Sequence, residues 1–269
     1  MANAFMSDRH FIQDTMKTIL IITDNLQGQI NGVVTTFKNI EVYANNNGYN
    51  IVYLDPGQFY HIDCPGYAEV KLSWPWRIGK KIKAFNPDYI HIATEGPLGF
   101  AARCWLDARH WKYNTSYHTK FPEFLNHLYN IPEWITYRYM RWFHKHSGKV
   151  LTTTHSMVKD LENRGFKPGI LAWTRGVDRQ IFKFKSNLDN QKKVLLYVGR
   201  ISEEKNLEEF CRLHYPNSVK IMIGDGPKRA YLEKQYPEVQ FLGIKRGQDL
   251  ADYYAMADVF VFPSKADTF

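Results

Sequence analysis

Cysteine is scarce and scattered: Cys64, Cys104 and Cys211 are the only three, an odd number with no CxxC pair. That excludes a disulfide framework and a cysteine zinc site, and a reducing, cytoplasmic setting is expected. Also missing is any run approaching the ~20 apolar residues needed to cross a bilayer as a helix. Residues 1–16 mix charge with polarity and lack the apolar core of a secretory leader, so they read as a loose amino-terminal extension. No low-complexity tract or short-period repeat is visible. Acidic residues are outnumbered: 27 Asp and Glu face 35 Lys and Arg, a formal net charge of +8. An anionic partner follows from this, whether a nucleotide, an anionic lipid surface or nucleic acid, and charge alone does not choose among them.

What is present is ample material for a core, with 44% hydrophobic and 15% aromatic residues in 269. Strand and helix signals alternate along the whole chain, the pattern of parallel sheets covered by crossover helices. Strands are expected at Lys17–Asp24, Asn50–Leu54, Tyr89–Ala93, Thr115–His118, Val150–Thr154 and Ile170–Trp173. A helix carrying Val33, Val34, Phe37 and Ile40 follows the first of them and should stop near Asn45–Gly48. A polar, aperiodic stretch from Thr174 to Gln191 reads as a linker. The alternation then restarts, with strands at Val194–Val198, Val219–Ile223, Val239–Leu242 and Val259–Phe262 and helices near 206–213, 227–236 and 248–256. The expected division is an extension at 1–16, one Rossmann-like domain at 17–178, a linker at 179–191 and a second such domain at 192–269. That second domain has only about 80 residues, below the usual range, so the polypeptide is expected to be incomplete.

The most informative segment is Val194–Val198 followed by Gly199, Arg200 and Lys205. A short continuous apolar run is the signature of a strand buried on both faces, and Gly199 permits a tight turn at its carboxyl end. Open α/β sheets bind ligands at that edge. A fixed guanidinium and a flexible ammonium there suit a pyrophosphate whose charge grows as a bond breaks, with Asn206–Phe210 read as the first turns of the next helix. The competing reading is two solvated loop charges. Two further glycine turns join strand to helix: Asn31-Gly32-Val33 and Ile223-Gly224-Asp225-Gly226-Pro227. Neither is a GxGxxG or Walker A loop, and each is open to a purely structural reading. His118, at the end of a predicted strand, is a candidate hydrogen-bond donor to substrate or a structural histidine. Pro132–His146, rich in rings and cations, either rests on anionic head groups or packs its rings inward. No RNP, zinc-finger or helix-turn-helix pattern supports nucleic acid.

Taken together, NGV at 31–33, HIATEGPLG at 91–99, SYHTKFPEF at 116–124, RGVD at 175–178, VGRISEEKN at 198–206, IGDGP at 223–227 and PSKADTF at 263–269 resemble the retaining family 4 glycosyltransferases. The resemblance covers the chain from about Lys17 to Phe269. It implies an α/β, GT-B type fold of two Rossmann-like doubly wound parallel-sheet domains, the second one incomplete. It further implies a UDP- or GDP-sugar as donor, a sugar or lipid-linked hydroxyl as acceptor, and transfer of a hexosyl group with retention and without metal or cofactor. By the same resemblance Arg200 and Lys205 neutralise the donor diphosphate, and Gly32 offers backbone amide to phosphate. His118 lies by the transferring sugar, Gly224 and Gly226 border the nucleotide, and Asp267 matches the first carboxylate of an E-x7-E motif. The second carboxylate of that motif falls beyond Phe269. Two alternatives stay open: an inactive nucleotide-sugar or glycan-binding fragment, and a GT-B sugar epimerase. An anionic membrane surface is a candidate partner, which would make the protein peripheral at the inner face.

Overall fold

The computed structural model describes residues 16–26, 32–64, 67–167, 169–174, 176–184 and 192–264. It divides into two compact units, Met1–His118 with Arg138–Ala172, and Thr119–Tyr137 with Trp173–Phe269.

The first unit is built on a parallel sheet of β1 (Lys17–Ile22), β2 (Tyr49–Leu54), β5 (Tyr89–Ile92), β6 (Asn114–Tyr117), β7 (Lys149–Thr152) and β8 (Gly169–Ala172). The strand order is β2-β1-β5-β6-β7-β8. α1 (Gly32–Asn45), α2 (Ile78–Ala84), α3 (Pro97–Asp107) and α6 (His155–Asn163) make the connections. Leu20, Ile22, Leu54, Ile90 and Ile92 from the strands pack with Ile78, Ile82, Leu98, Ala102 and Leu106 from α2 and α3 as one buried cluster. Strands clad by helices lose the polar face that half-exposed strands keep, hence the unbroken apolar run at Ile19–Ile22. One feature departs from the expected purely parallel pattern. β3 (His61–Cys64) and β4 (Tyr67–Ser73) form a separate antiparallel pair between β2 and α2.

The second unit holds a parallel sheet of β9 (Lys193–Val198), β10 (Ser218–Ile223), β11 (Val239–Phe241) and β12 (Val259–Phe260), ordered β11-β10-β9-β12. The alternation of β9 divides its side chains between two clusters. Leu195 and Tyr197 meet Phe210, Met222 and Leu232 on one side, while Val194 and Leu196 meet Ile221 and Ile223 on the other. α7 (Leu207–Arg212), α8 (Arg229–Gln235) and α9 (Gly247–Met256) cover it. Cys211, buried in α7, has its thiol pushed up to about 11 by desolvation and is an inert packing residue.

α4 (Phe121–Tyr129) and α5 (Glu133–His144) stand between β6 and β7 in the chain. α5 realises most of the Pro132–His146 helix with its rings divided between core and surface, where Trp134 lies exposed. Tyr137 and Phe143 are buried, and Trp142 stacks on the buried Arg103 guanidinium at 3.7 Å. Among the described residues, no helix is long and apolar enough to cross a membrane.

Candidate active site

In the second unit, the chain leaves β9 at Gly199 and enters a 3-10 turn at Glu203–Lys205. Because β9 lies between β10 and β12, this is where the strand order reverses, the place a doubly wound sheet opens a crevice. The loop is locked against the next strand's exit. The Gly199 amide donates to the Ile223 carbonyl, and the Ile201 amide to the Asp225 carbonyl, both at 2.9 Å. Gly224 and Gly226 lie at φ +143° and +155°, and a Cβ on either would stand 1.8 Å from the Gly199 oxygen or 2.3 Å from the Ile201 oxygen. Only glycine permits this approach of two backbones. Below, the Tyr197 hydroxyl donates to the Arg200 carbonyl at 2.8 Å, so the strand's last buried ring anchors the loop.

Arg200 is thereby held half-buried at the sheet edge. Lys205 ends the 3-10 turn with its ammonium 5.6 Å from the Phe262 ring centre, and Phe262 in turn stacks on Tyr197 at 5.6 Å. Arg200, Lys205, Gly224 and Gly226 thus belong to one construction. The helix expected to open at Asn206 begins one residue later: Asn206 is left-handed at φ 53°, a conformation asparagine tolerates. α7 has only six residues, so its dipole adds little, and the positive charge of this edge comes from side chains. A neighbouring cavity of about 160 Å³ pairs its own charges, Lys228 with Glu203 and Arg212 with Glu208 and Glu209. Asp267 lies outside the described residues.

In the first unit, Gly32 is the first residue of α1, and its carbonyl accepts from Thr36 Oγ1 at 2.6 Å. His118 follows β6 directly, is 9% exposed, and meets the Phe37 ring of α1 edge-on at 6.1 Å. Phe37 also touches His91, at 5.8 Å, so α1 is seated on two imidazoles. His91 is buried and held neutral: desolvation pushes it down to about 4, and its Nε2 lies 2.6 Å from Ser116 Oγ.

The sequence reading missed Asp24. This sheet's reversal falls between β1 and β5, and Asp24, just past β1, spans it. One oxygen accepts from the Leu98 amide at 2.7 Å and the other from Thr94 Oγ1 at 2.7 Å. The carboxylate therefore occupies the amino end of α3. A Cβ on Gly96 would stand 2.6 Å from Asp24 Cγ, and one on Gly99 1.9 Å from the Thr94 oxygen. Burial outweighs these hydrogen bonds and pushes the carboxyl up to about 6. An acid immediately after the first strand was the available signal. Deeper still, His144 is fully buried, with Nδ1 2.8 Å from Thr115 Oγ1 and Nε2 3.5 Å from Glu95 Oε1.

Comparison with known proteins agrees with this geometry. The chain is 28% identical over 301 residues to the sulfoquinovosyl transferase of Arabidopsis thaliana, matching 99% of this chain and 58% of that protein. It is 24% identical over 280 residues to a GDP-mannose-dependent alpha-mannosyltransferase of Corynebacterium glutamicum, matching 93% of this chain and 68% of that protein. Among solved structures, sucrose-phosphate synthase from Thermosynechococcus elongatus superposes with a TM-score of 0.69 at 15% identity, covering 94% of this chain and 77% of that one. That likeness establishes the GT-B type of α/β fold. Residues 178–269 match the family described as glycosyl transferases group 1. Residues 32–181, more than half of the chain, match Glycosyltransferase Family 4, and the chain belongs to that family.

Proposed function

We propose that the protein moves a hexosyl group from a UDP- or GDP-sugar to an acceptor hydroxyl of a sugar or lipid-linked glycan, retaining anomeric configuration and needing no metal. The observation that carries this reading is the interlocked pair of glycine loops that holds Arg200 and Lys205 at the crevice edge of β9. The bond between the anomeric carbon and the diphosphate breaks, and its electron pair stays on the phosphate. Arg200 and Lys205 stabilise that growing charge, which a desolvated pair of cations does far better than water. The acceptor oxygen bonds to the anomeric carbon from the same face, and its proton passes to the departing phosphate. A nucleoside diphosphate and a glycoside result. His118, oriented by Phe37, donates a hydrogen bond to the sugar, and Gly32 supplies backbone amide to the phosphates. One relative is named for GDP-mannose, a donor of this class. Asp267 is assigned to the same donor side.

Calorimetric titration of UDP and GDP, with an assay of sugar transfer by the same chain, tests the reading. Arg200→Ala and Lys205→Ala should each weaken nucleotide binding by about 1.5–3 kcal/mol. Unchanged affinity in both removes the clamp. His118→Ala should lower turnover more than donor affinity, whereas equal loss of both marks a structural histidine. Binding without turnover identifies a nucleotide-sugar-binding protein, isomerised donor an epimerase, and turnover abolished by a chelator refutes metal independence.

A further inference from the structure

The β3–β4 pair carries none of the residues assigned to that reaction, and its two faces differ sharply. Register places Ile62 opposite Leu72 and His61 opposite Ser73, and the Trp74 amide donates to the Tyr60 carbonyl at 2.8 Å. Directly opposed residues share a face, so Tyr60, Ile62, Leu72 and Trp74 line one side of the ribbon. The other side is tied to the molecule: His61 Nδ1 lies 2.9 Å from the Pro56 carbonyl, and Ser73 is buried. The apolar side faces water. Tyr60 is 79% exposed, Ile62 53%, and Trp74 and Trp76 68% each.

Cations frame this patch. From 70 to 87 the sequence holds Lys71, Arg77, Lys80, Lys81 and Lys83 and no acid. Ile78, Gly79 and Ile82 are the buried residues of α2, which leaves Lys80 and Lys83 exposed on its outer side. Arg77, also exposed, adopts φ 56° at the start of α2, a left-handed conformation that a bulky side chain accepts only at a cost. Adjacent tryptophans suit the boundary between head groups and acyl chains, and clustered lysines suit anionic lipid. Protein interfaces, by contrast, are depleted in lysine.

We propose that Tyr60, Ile62, Trp74 and Trp76, with Arg77, Lys80 and Lys83, form a docking surface for the head-group layer of an anionic bilayer. The rings enter the interfacial layer and the cations meet lipid phosphates. α5 is the weaker claimant, since Tyr137 and Phe143 are buried and Trp142 is stacked on Arg103, which leaves Trp134 as its most exposed ring. The proposal stands apart from the transferase reading, because vesicle binding requires no donor or turnover.

Co-sedimentation of the full chain with phosphatidylcholine vesicles, with and without phosphatidylglycerol, tests it. Binding is expected only to the anionic vesicles, weakening as salt rises, with tryptophan fluorescence quenched by brominated lipid. Trp74→Ser/Trp76→Ser and Lys80→Glu/Lys83→Glu should each cut binding about tenfold or more, while Arg138→Glu/Arg141→Glu on α5 should not. Circular dichroism checks each variant's fold, and the quenching measurement needs no variant. The proposal fails if the unaltered chain ignores anionic vesicles, if both hairpin-side variants bind undiminished, or if the α5 variant alone loses binding. It also fails if sedimentation velocity finds a dimer that Trp74→Ser/Trp76→Ser dissolves, since the patch would then meet a second copy.

Discussion

At the scale of single residues, two buried titratable groups pull stability in opposite directions with pH. Asp24 holds its proton up to about pH 6, against 3.8 ordinarily, so between those values the folded chain keeps a proton that the unfolded chain has released. Its contribution therefore falls as pH rises through that window. His91 remains neutral down to about 4 instead of 6.5, so its contribution falls as pH drops through nearly the same window. The two slopes offset one another. Asp24→Asn should expose the histidine term, a loss on the order of 3 kcal/mol on acidification from pH 6.5 to 4, and His91→Gln should expose the opposite slope. Urea unfolding across this range reads both, and single variants that keep the parent profile would contradict the assignment.

At the scale of elements, the site is an agreement between two strand-to-helix connections. Gly224→Ala places a Cβ 1.8 Å from the Gly199 oxygen at φ +143°, so the Gly199–Ile201 loop must move. We expect a loss on the order of 3 kcal/mol in thermal or urea unfolding together with weakened nucleotide binding. Wild-type stability and affinity would mean the loops are not coupled. Much of this was legible beforehand. The run Val194–Val198 announced a strand buried on both faces, and glycines at 199, 224 and 226 marked its crevice, because two-sided burial and close backbone approach leave local signatures. What was not legible depends on distant partners. Asp24 contacts residues about 70 positions away, and the Tyr197–Phe262 stack joins β9 to the residues after β12. The β3–β4 ribbon was missed because an antiparallel pair set apart from the main sheet breaks the strand–helix alternation on which the reading relied. Helix ends shifted where asparagine took a left-handed turn, as at Asn206.

At the scale of the whole molecule, the boundary between the units does not follow a single point in the chain. Residues 119–137 group with the second unit although β7 and β8 of the first come after them. A chain ended after Ala172 should therefore keep slowly exchanging amides in β1 and β5 while α4 exchanges freely, a contrast that hydrogen exchange with mass spectrometry reads by peptide. Equal protection of α4 in the shortened chain would show that it is stable without the rest of its group. The same threading bears on synthesis. As the polypeptide leaves the ribosome, the strands of the first sheet can all assemble once β8 emerges, yet the α4 segment, tied to α5 through Glu123 and Tyr137, lacks the rest of its unit until the residues from 173 onward have been translated. The nascent protein thus passes through an interval in which an amphipathic stretch is open to chaperones or to premature aggregation, and the length of that interval is set by translation speed.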